Sequence, residues 1–212
     1  LDILGDSEGN MWVATRGGLD RLSRRVLQVV GPENGLPIVT VRSACEDAAG
    51  TIWAVGQAGN MAKSDNGGWH LVSSNAGWSG IGAVCVTKDA DGGILIGTTE
   101  EGVIRHESGV FAPLPENPQL PQGQVRSLYA CTNGDVWVAV DAEVARVRAE
   151  DRKVTRFALP PGSSPVRAMV EDRAGDLWLG TTSDGLLLRV HDDQLINETT
   201  NVMGEPKHIR CL

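Results

Sequence analysis

Four arginines recur at one position of the sequence pattern, and guanidinium groups gathered in one place are suited to binding anions. Each follows a Val or Ile that opens a short apolar run: Arg42, Arg126, Arg167 and Arg210. A guanidinium presents a planar fork of donors that holds carboxylate, sulfate or phosphate through paired hydrogen bonds. The alternative is that each arginine pairs with a nearby Asp or Glu and ties neighbouring structural units together. Val84 takes the equivalent place in one unit and interrupts the series in either case.

The arginines belong to a sequence repeat with a period of about 42 residues. Its most regular part combines an Asp-x-x-Gly turn with an apolar run containing Trp, and it occurs at 6–15, 47–56, 89–98, 132–140 and 172–181. The apolar runs are short, rich in Val, Ile, Leu and Trp, and separated by Gly, Asp and Pro, which is typical of strands and turns. Repeats of this length with four short strands each are typical of β-propeller blades.

We therefore predict an all-β fold, a β-propeller built from four-stranded antiparallel blades. The repeats place blades near 1–40, 41–82, 83–124, 125–165 and 166–208, and residues 209–212 begin a further copy of the first strand. Residues 1–4 correspond to the middle of that same strand, so the two ends cannot be two halves of one strand. About five blades are thus present, and we expect them to be part of a larger ring. An open edge of such a ring calls for other propeller segments or subunits as partners.

Composition narrows the classes of partner. The net charge is −8, from 19 basic and 27 acidic side chains. This balance argues against a nucleic acid and against direct contact with an anionic membrane, because both favour a basic face. No apolar run approaches the length that crosses a bilayer.

The most regular residues of the repeat are predicted to be structural. A Trp that recurs in successive blades is expected to pack between them, and the turn Asp is expected to cap turn amides beside a glycine with positive φ. The turns lack the ligand spacing of a calcium loop, so no metal and no cofactor is predicted. The four cysteines, Cys45, Cys85, Cys131 and Cys211, are expected to be small buried thiols in first strands.

Recognition is expected where the blades differ from one another. In a four-stranded meander, the turns between second and third strands lie on the same face as the segments that connect successive blades. That face would carry the arginines together with residues that vary between blades: Arg16, Gln57, Glu100, Asp141, Asp184 and Trp78. Loops on a rigid scaffold can vary without harming the core. For Trp78, packing against a neighbouring blade is the alternative to stacking on a ligand.

Two segments carry a family resemblance. Asn34-Gly35-Leu36-Pro37 with the following 41–53, and the fifth copy over 166–186, resemble the two-component regulator propeller repeat. The resemblance implies a propeller, often of seven blades, from the extracytoplasmic sensor region of bacterial histidine kinases and hybrid two-component regulators, several of which sense carbohydrate fragments. It thus implies a periplasmic location. The third copy, with Leu95 in place of Trp, and the fourth, without the turn Asp, depart from the pattern and are expected to differ locally.

The sequence therefore predicts a non-catalytic sensing or interaction propeller whose ligand is an oligosaccharide or another small molecule. One alternative is a propeller enzyme, lyase-like or lactonase-like, with its site at the mouth of the central channel. The four histidines, however, have neither a repeated partner nor metal-ligand spacing. A second alternative is a structural fragment that assembles with other copies and binds nothing.

Overall fold

Five antiparallel sheets follow one another along the chain, and each is one propeller blade. The computed structural model describes residues 3–5, 7, 11–15, 18–22, 30–65, 68–72, 82–202 and 209. In the four blades described with four strands, strands pair in chain order from the first to the last. The predicted all-β propeller is confirmed.

The strands are short, and their bounds repeat from blade to blade. The first blade contains β1 (Ile3–Gly5), β2 (Met11–Thr15) and β3 (Gly18–Leu22); the second contains β4 (Val41–Glu46), β5 (Ile52–Gly56), β6 (Met61–Asp65) and β7 (Gly68–Leu71). The third contains β8 (Ala83–Lys88), β9 (Ile94–Thr98), β10 (Val103–Glu107) and β11 (Val110–Pro113); the fourth contains β12 (Val125–Ala130), β13 (Val136–Val140), β14 (Glu143–Val147) and β15 (Val154–Ala158). The fifth contains β16 (Val166–Glu171), β17 (Leu177–Thr181), β18 (Leu187–His191) and β19 (Gln194–Asn197).

Helical structure in the described chain is confined to the connections after outer strands. Two single 3-10 turns, Pro32–Asn34 and Asn117–Gln119, and the one-turn helix α1 (Thr199–Val202) occupy these places. Leu36 and Leu120, which follow the two 3-10 turns, are each 4% exposed. The connecting segments are therefore anchored to the blades by a buried leucine, as their common register predicts.

The hydrophobic core lies between successive blades. One cluster joins the second and third blades around Trp53, Ile94 and Ile104, and another joins the fourth and fifth around Trp137 and Leu179. The ring of Trp53 lies 4.8 Å from that of His106 in the next blade, centroid to centroid. The predicted packing role of the repeated tryptophans is confirmed for Trp53 and Trp137, which are each 3% exposed.

In the third and fifth blades, the glycine two residues after the Trp position of the repeat allows the next blade to approach closely. A Cβ on Gly97 would overlap with Val125 at the start of the fourth blade, and one on Gly180 would overlap with Ile209. The Ile209 amide also donates to the Thr181 carbonyl oxygen at 3.2 Å. Ile209 thus meets the fifth blade as Val125 meets the third.

The turn aspartate also accepts a hydrogen bond from the repeated tryptophan, which the sequence analysis did not predict. In the second blade, Asp47 Oδ1 accepts the amides of Ala49 and Thr51, each at 2.9 Å, which is the predicted turn capping. Its other oxygen, Oδ2, accepts the indole N–H of Trp53 at 2.9 Å. The fifth blade repeats the arrangement with Asp172 and Trp178 at 2.8 Å. The spacing Asp-x-x-Gly-x-x-Trp is therefore one hydrogen-bonded unit.

The two irregular copies replace one member of this unit and change the partner of the other. In the third blade, where Leu95 replaces Trp, Asp89 pairs with Arg105, whose Nε lies 2.9 Å from Oδ2. In the fourth blade, Cys131 takes the place of the Asp and is hydrogen-bonded to the side chain of Trp137. The strands themselves keep the same length and order, so the irregularity is confined to the turn.

Candidate functional site

A β-bulge places an arginine near the start of the innermost strand in three blades. Pairing between first and second strands skips one residue in each of the four blades from the second to the fifth, and the skipped residue is Arg42, Val84, Arg126 or Arg167. A bulge leaves its extra residue out of the ladder and redirects the side chain. The repeated Val-Arg dipeptide is thus the sequence trace of a repeated bulge, a feature that period and composition alone did not reveal.

Three of the predicted arginines line one cavity. Arg42, Arg126 and Arg167, from the second, fourth and fifth blades, border a space of about 680 Å³ that we call the arginine cavity. Val84 completes the series from the third blade and contributes an apolar side chain to the same wall. The volume lies within the range of about 300 to 1,000 Å³ that is typical of small-molecule sites. Arg210 lies outside the described residues.

Hydroxyl groups accompany the arginines. Ser43, Ser127, Thr182 and Ser183 also line the arginine cavity. Two of them join innermost strands of adjacent blades, because Ser43 Oγ donates to the Val86 carbonyl oxygen at 3.3 Å and Ser127 Oγ donates to that of Val166 at 3.0 Å. The sequence prediction omitted all four, although Ser43 and Ser127 directly follow predicted arginines.

The arginines are incompletely neutralised by the protein. Arg126 donates through Nε and Nη2 to Asp141 Oδ1, at 3.0 and 2.7 Å, and this pair lies within the fourth blade. Among the described residues, neither Arg42 nor Arg167 forms an ion pair with a carboxylate. Of the three predicted arginines that the structure describes, the alternative of structural ion pairs therefore fits Arg126 alone. This pair links the first strand to the second turn of one blade and does not join two blades.

Repulsion acts across the arginine cavity. Burial, followed by the positive charges of Arg126 and Arg42, lowers the pKa of the Arg167 guanidinium. The second and fifth blades are not neighbours, yet Arg42 and Arg167 line the same cavity and the charge of Arg42 contributes to the lowered pKa of Arg167. An anion in this space would relieve the repulsion and accept hydrogen bonds from both groups.

The loops predicted to share one face are brought together by hydrogen bonds. The Gln57 amide in a second turn donates to the Thr40 carbonyl oxygen of a connecting segment at 2.9 Å. In the fifth blade, Ser164 of the connecting segment donates to Asp184 through both its amide, at 3.2 Å, and its hydroxyl. Burial raises the pKa of Asp184, but the hydrogen bonds led by Ser164 outweigh it and lower that pKa overall.

The remaining predicted site residues lie in different places. Gln57 is exposed, and Glu100 lines a smaller pocket on the same face. Asp184 adjoins Ser183, which lines the arginine cavity, but its own carboxylate is held by Ser164. Arg16 and Trp78 lie outside the described residues, so both stay predictions.

The described thiols and histidines do not form a catalytic group at this site. Burial raises the pKa of Cys85, which lines the arginine cavity, to about 12, so the thiol is a poor nucleophile. His70, His106 and His191 do not line that cavity. Among the described residues, no group of three or more His, Cys, Asp or Glu is placed to hold a metal ion. In the same part of the chain, every helix is too short and too polar to span a bilayer.

Comparison with known proteins supports the resemblance seen in the sequence. Residues 160–183 match the model of the family described as "Two component regulator propeller". No curated protein matches the chain.

Solved structures with the same fold include extracellular domains of regulatory systems and an enzyme. The extracellular domain of a B. thetaiotaomicron protein assigned as a hybrid two component system is 23% identical, with a TM-score of 0.61 over 92% of this chain and 27% of that one. An extracellular domain assigned to a one component system of the same organism is 17% identical, with a TM-score of 0.67 over 99% of this chain and 35% of that one. A catalytically inactive virginiamycin B lyase from Staphylococcus aureus, solved with quinupristin, is 15% identical, with a TM-score of 0.61 over 92% of this chain and 68% of that one.

The chain spans about a third of the length of these two extracellular domains, and at these identities the likeness shows the fold alone. The family match, by contrast, falls on the copy whose residues carried the resemblance, including Val166-Arg167 and Trp178. The resemblance is therefore confirmed: this chain is a β-propeller in which residues 160–183 match the two-component regulator propeller repeat.

Proposed function

We propose that this propeller is a non-catalytic sensing module that binds an anionic small molecule, such as an acidic saccharide, in the arginine cavity. One observation carries the proposal: Arg42 and Arg167 line the same cavity, and neither has a carboxylate partner among the described residues. A cluster of like charges is unfavourable in the unliganded protein, and an anion that bridges them is the simplest compensation.

The proposed mechanism follows from where the arginines lie. They project from innermost strands of different blades: β12 contacts β16 directly, and β8 lies between β4 and β12 and contacts both. A ligand held by two or more arginines would therefore link the blades that carry them. A change in blade packing could then be read by another domain, which accords with the extracellular sensor domains that share this fold. By the same likeness we place the domain outside the cytoplasm, in the periplasm or beyond.

Calorimetric titration tests the proposal. Glucuronate, galacturonate and a sulfated monosaccharide are compared with glucose and galactose as neutral controls. We expect binding of the acidic sugars alone, weakening as salt is raised, because the interaction is ionic. A hydrogen-bonded charge contributes about 1.5 to 3 kcal/mol, so Arg167→Gln should weaken binding about 10- to 100-fold.

A matched variant separates binding from folding. Arg173 is exposed on a turn between first and second strands, at the opposite face, so Arg173→Gln removes the same charge away from the cavity. It should leave affinity unchanged. Arg167→Gln should also melt no lower than the parent chain, because removing one of three neighbouring charges relieves repulsion. Equal binding by Arg167→Gln and the parent would refute the proposal.

The propeller-enzyme alternative is tested in the same samples. The lyase that shares this fold shows that a propeller can carry a catalytic site. Turnover of any bound saccharide, followed by mass spectrometry after prolonged incubation, would favour the enzyme. A chain that binds none of the acidic sugars but forms a defined oligomer in light scattering would favour the structural alternative.

A further inference from the structure

A second, smaller pocket lies on the same face, between the third and fourth blades. Its volume is about 270 Å³, just under the lower end of the typical range for small-molecule sites, so it suits a single ring. Glu100, in the second turn of the third blade, and Gln122, in the connecting segment, line it. Val125 and Val140 line its inner side. We call it the side pocket.

The side pocket adjoins the arginine cavity through the backbone. Val125 immediately precedes Arg126, and Val140 immediately precedes Asp141, the carboxylate that accepts both hydrogen bonds of Arg126. Arg126 lines the arginine cavity, and a Cβ on Gly123, which lines the side pocket, would overlap with the Asp141 carboxylate, so the ion pair lies between the two spaces. A ligand that extends outward from the arginines past this pair enters the side pocket.

The side pocket has the surface of a sugar subsite. Val125, Val140 and Leu120 close its inner side but are only 1%, 2% and 4% exposed, so most of the surface that a ligand would meet is polar. Glu100 and Gln122 are exposed and supply hydrogen-bonding groups at the rim. A sugar ring carries hydroxyls around its edge, and these can donate to and accept from such groups.

The walls of the side pocket are fixed before any ligand binds. Asn117 Oδ1 accepts the Val103 amide at 3.0 Å, and its Nδ2 donates to the carbonyl oxygens of Val103 and Glu101, at 2.8 and 3.3 Å. One side chain thus joins the second turn of the third blade to the segment that connects it to the fourth. A preformed wall reduces the ordering cost of binding.

The two spaces differ in charge. Arg42 and Arg167 line the arginine cavity without a carboxylate partner in the described part of the chain, whereas Glu100 and Glu101 add carboxylates to the side pocket. A carboxylate accepts hydrogen bonds from sugar hydroxyls and repels a second acidic group, so the same residue favours one ligand and disfavours another.

Building on the proposed function, we infer that the side pocket binds the neutral, hydroxyl-bearing sugar next to the acidic residue held by the arginines. The preferred ligand is then an acidic sugar joined to a neutral one. A saccharide with an acidic group on every ring is disfavoured.

The experiment compares three kinds of probe by calorimetric titration. They are glucuronate or galacturonate alone, these acids joined to xylose, galactose or rhamnose as disaccharides, and digalacturonate. We expect at least one mixed disaccharide to bind about tenfold more tightly than its acidic monosaccharide. Digalacturonate should gain less than the best mixed disaccharide. If no mixed disaccharide gains over its acid, or if digalacturonate gains the most, the inference is wrong.

Substitutions at the rim sharpen the result. Gln122→Ala and Glu100→Gln should each remove most of the gain from the neutral sugar while leaving the affinity for the acidic monosaccharide within about twofold. Glu100→Gln should also strengthen digalacturonate binding several-fold. Glu150→Gln, an exposed carboxylate on an outer turn of the fourth blade, is the matched control and should change neither quantity.

Failure of this inference is distinguishable from failure of the proposed function. If the acidic monosaccharides bind and depend on Arg167, but the neutral sugar adds nothing, only the side pocket is refuted. If no acidic saccharide binds, the proposed function fails and the side pocket fails with it.

Discussion

Replacing Trp53 and Trp137 separately by Phe would measure the hydrogen bond between the turn aspartate and the indole. Both tryptophans are 3% exposed and hold the same place in the second strands of the second and fourth blades. Each ring also has one cation near its face, at 5.8 Å for Lys63 over Trp53 and 5.7 Å for Arg146 over Trp137. The loss of indole volume and of cation–π contact is therefore similar at the two sites.

The two sites differ in the group that accepts the hydrogen bond from the indole N–H. Asp47 offers Trp53 a carboxylate oxygen at 2.9 Å, whereas Trp137 meets the thiol of Cys131. A hydrogen bond to a charged group contributes about 1.5 to 3 kcal/mol, and sulfur is a weak acceptor. Asp47 keeps partial access to water, which reduces the difference. We expect Trp53→Phe to lower the free energy of unfolding by about 1 kcal/mol more than Trp137→Phe.

Urea unfolding followed by far-ultraviolet circular dichroism checks this, because fluorescence would change with the removed tryptophan. For a chain of this size, about 1 kcal/mol corresponds to a further fall in Tm of about 2 to 4 °C. Equal losses at the two sites, or a greater loss at Trp137, would show that the indole serves packing alone.

The pH dependence supplies a second check. Burial raises the pKa of Asp47, but the hydrogen bond from Trp53 and the turn amides outweigh it and lower that pKa overall. A lowered folded-state pKa adds stability that is present above the ordinary value of about 3.9 and lost as the pH falls through the lowered value. The excess cost of Trp53→Phe should therefore be full at pH 7 and should shrink in acid.

Three further predictions concern other parts of the scaffold. Gly97→Ala should destabilise the chain by about 1 to 3 kcal/mol in urea unfolding, because its methyl group would overlap with Val125 of the next blade; a neutral result would mean that the blades separate without cost. Arg105→Gln should cost about 1 to 3 kcal/mol by the same measurement, since it leaves the carboxylate of Asp89, which is 9% exposed, without its cation; unchanged stability would show that water replaces the pair. The hydrogen bond to Asp176 raises the pKa of His191, so His191→Gln should lower Tm below about pH 6.5 and lose this effect as the pH rises through the raised pKa; a pH-independent change would contradict the assignment.

Much of the fold was predictable because the same turn-and-strand pattern recurs five times in the sequence. Five copies of a turn followed by an apolar run fix the strand order, the blade size and the side of each turn, and the structure confirms the all-β propeller. The bulge was not predictable from one strand, because it depends on how two strands pair. The same holds for Arg105, whose pairing with Asp89 crosses from a third strand to a turn.

The candidate site was predictable in part for the same reason. Repetition pointed to Arg42, Arg126 and Arg167, and the bulge brings all three to one cavity. The side pocket could not be read from the repeat, because its residues come from a turn and a connecting segment that differ in every blade. Gln122 and Glu100 become a pair only when two blades are placed side by side.

The irregular blades show how the scaffold tolerates change near its turns. Where the indole is missing, Arg105 supplies the cation that pairs with Asp89. Where the Asp is missing, nearby Glu171 and Asp135 already place negative charge around Cys131. A carboxylate in place of Cys131 would be repelled by Glu171 and Asp135, and the uncharged thiol avoids that repulsion. In both blades the charges around the turn thus fit the residue that replaces the usual one, and the strands stay in register. The opposite face can then vary its loops without loss of the ring of blades, and that freedom is what a sensing surface needs.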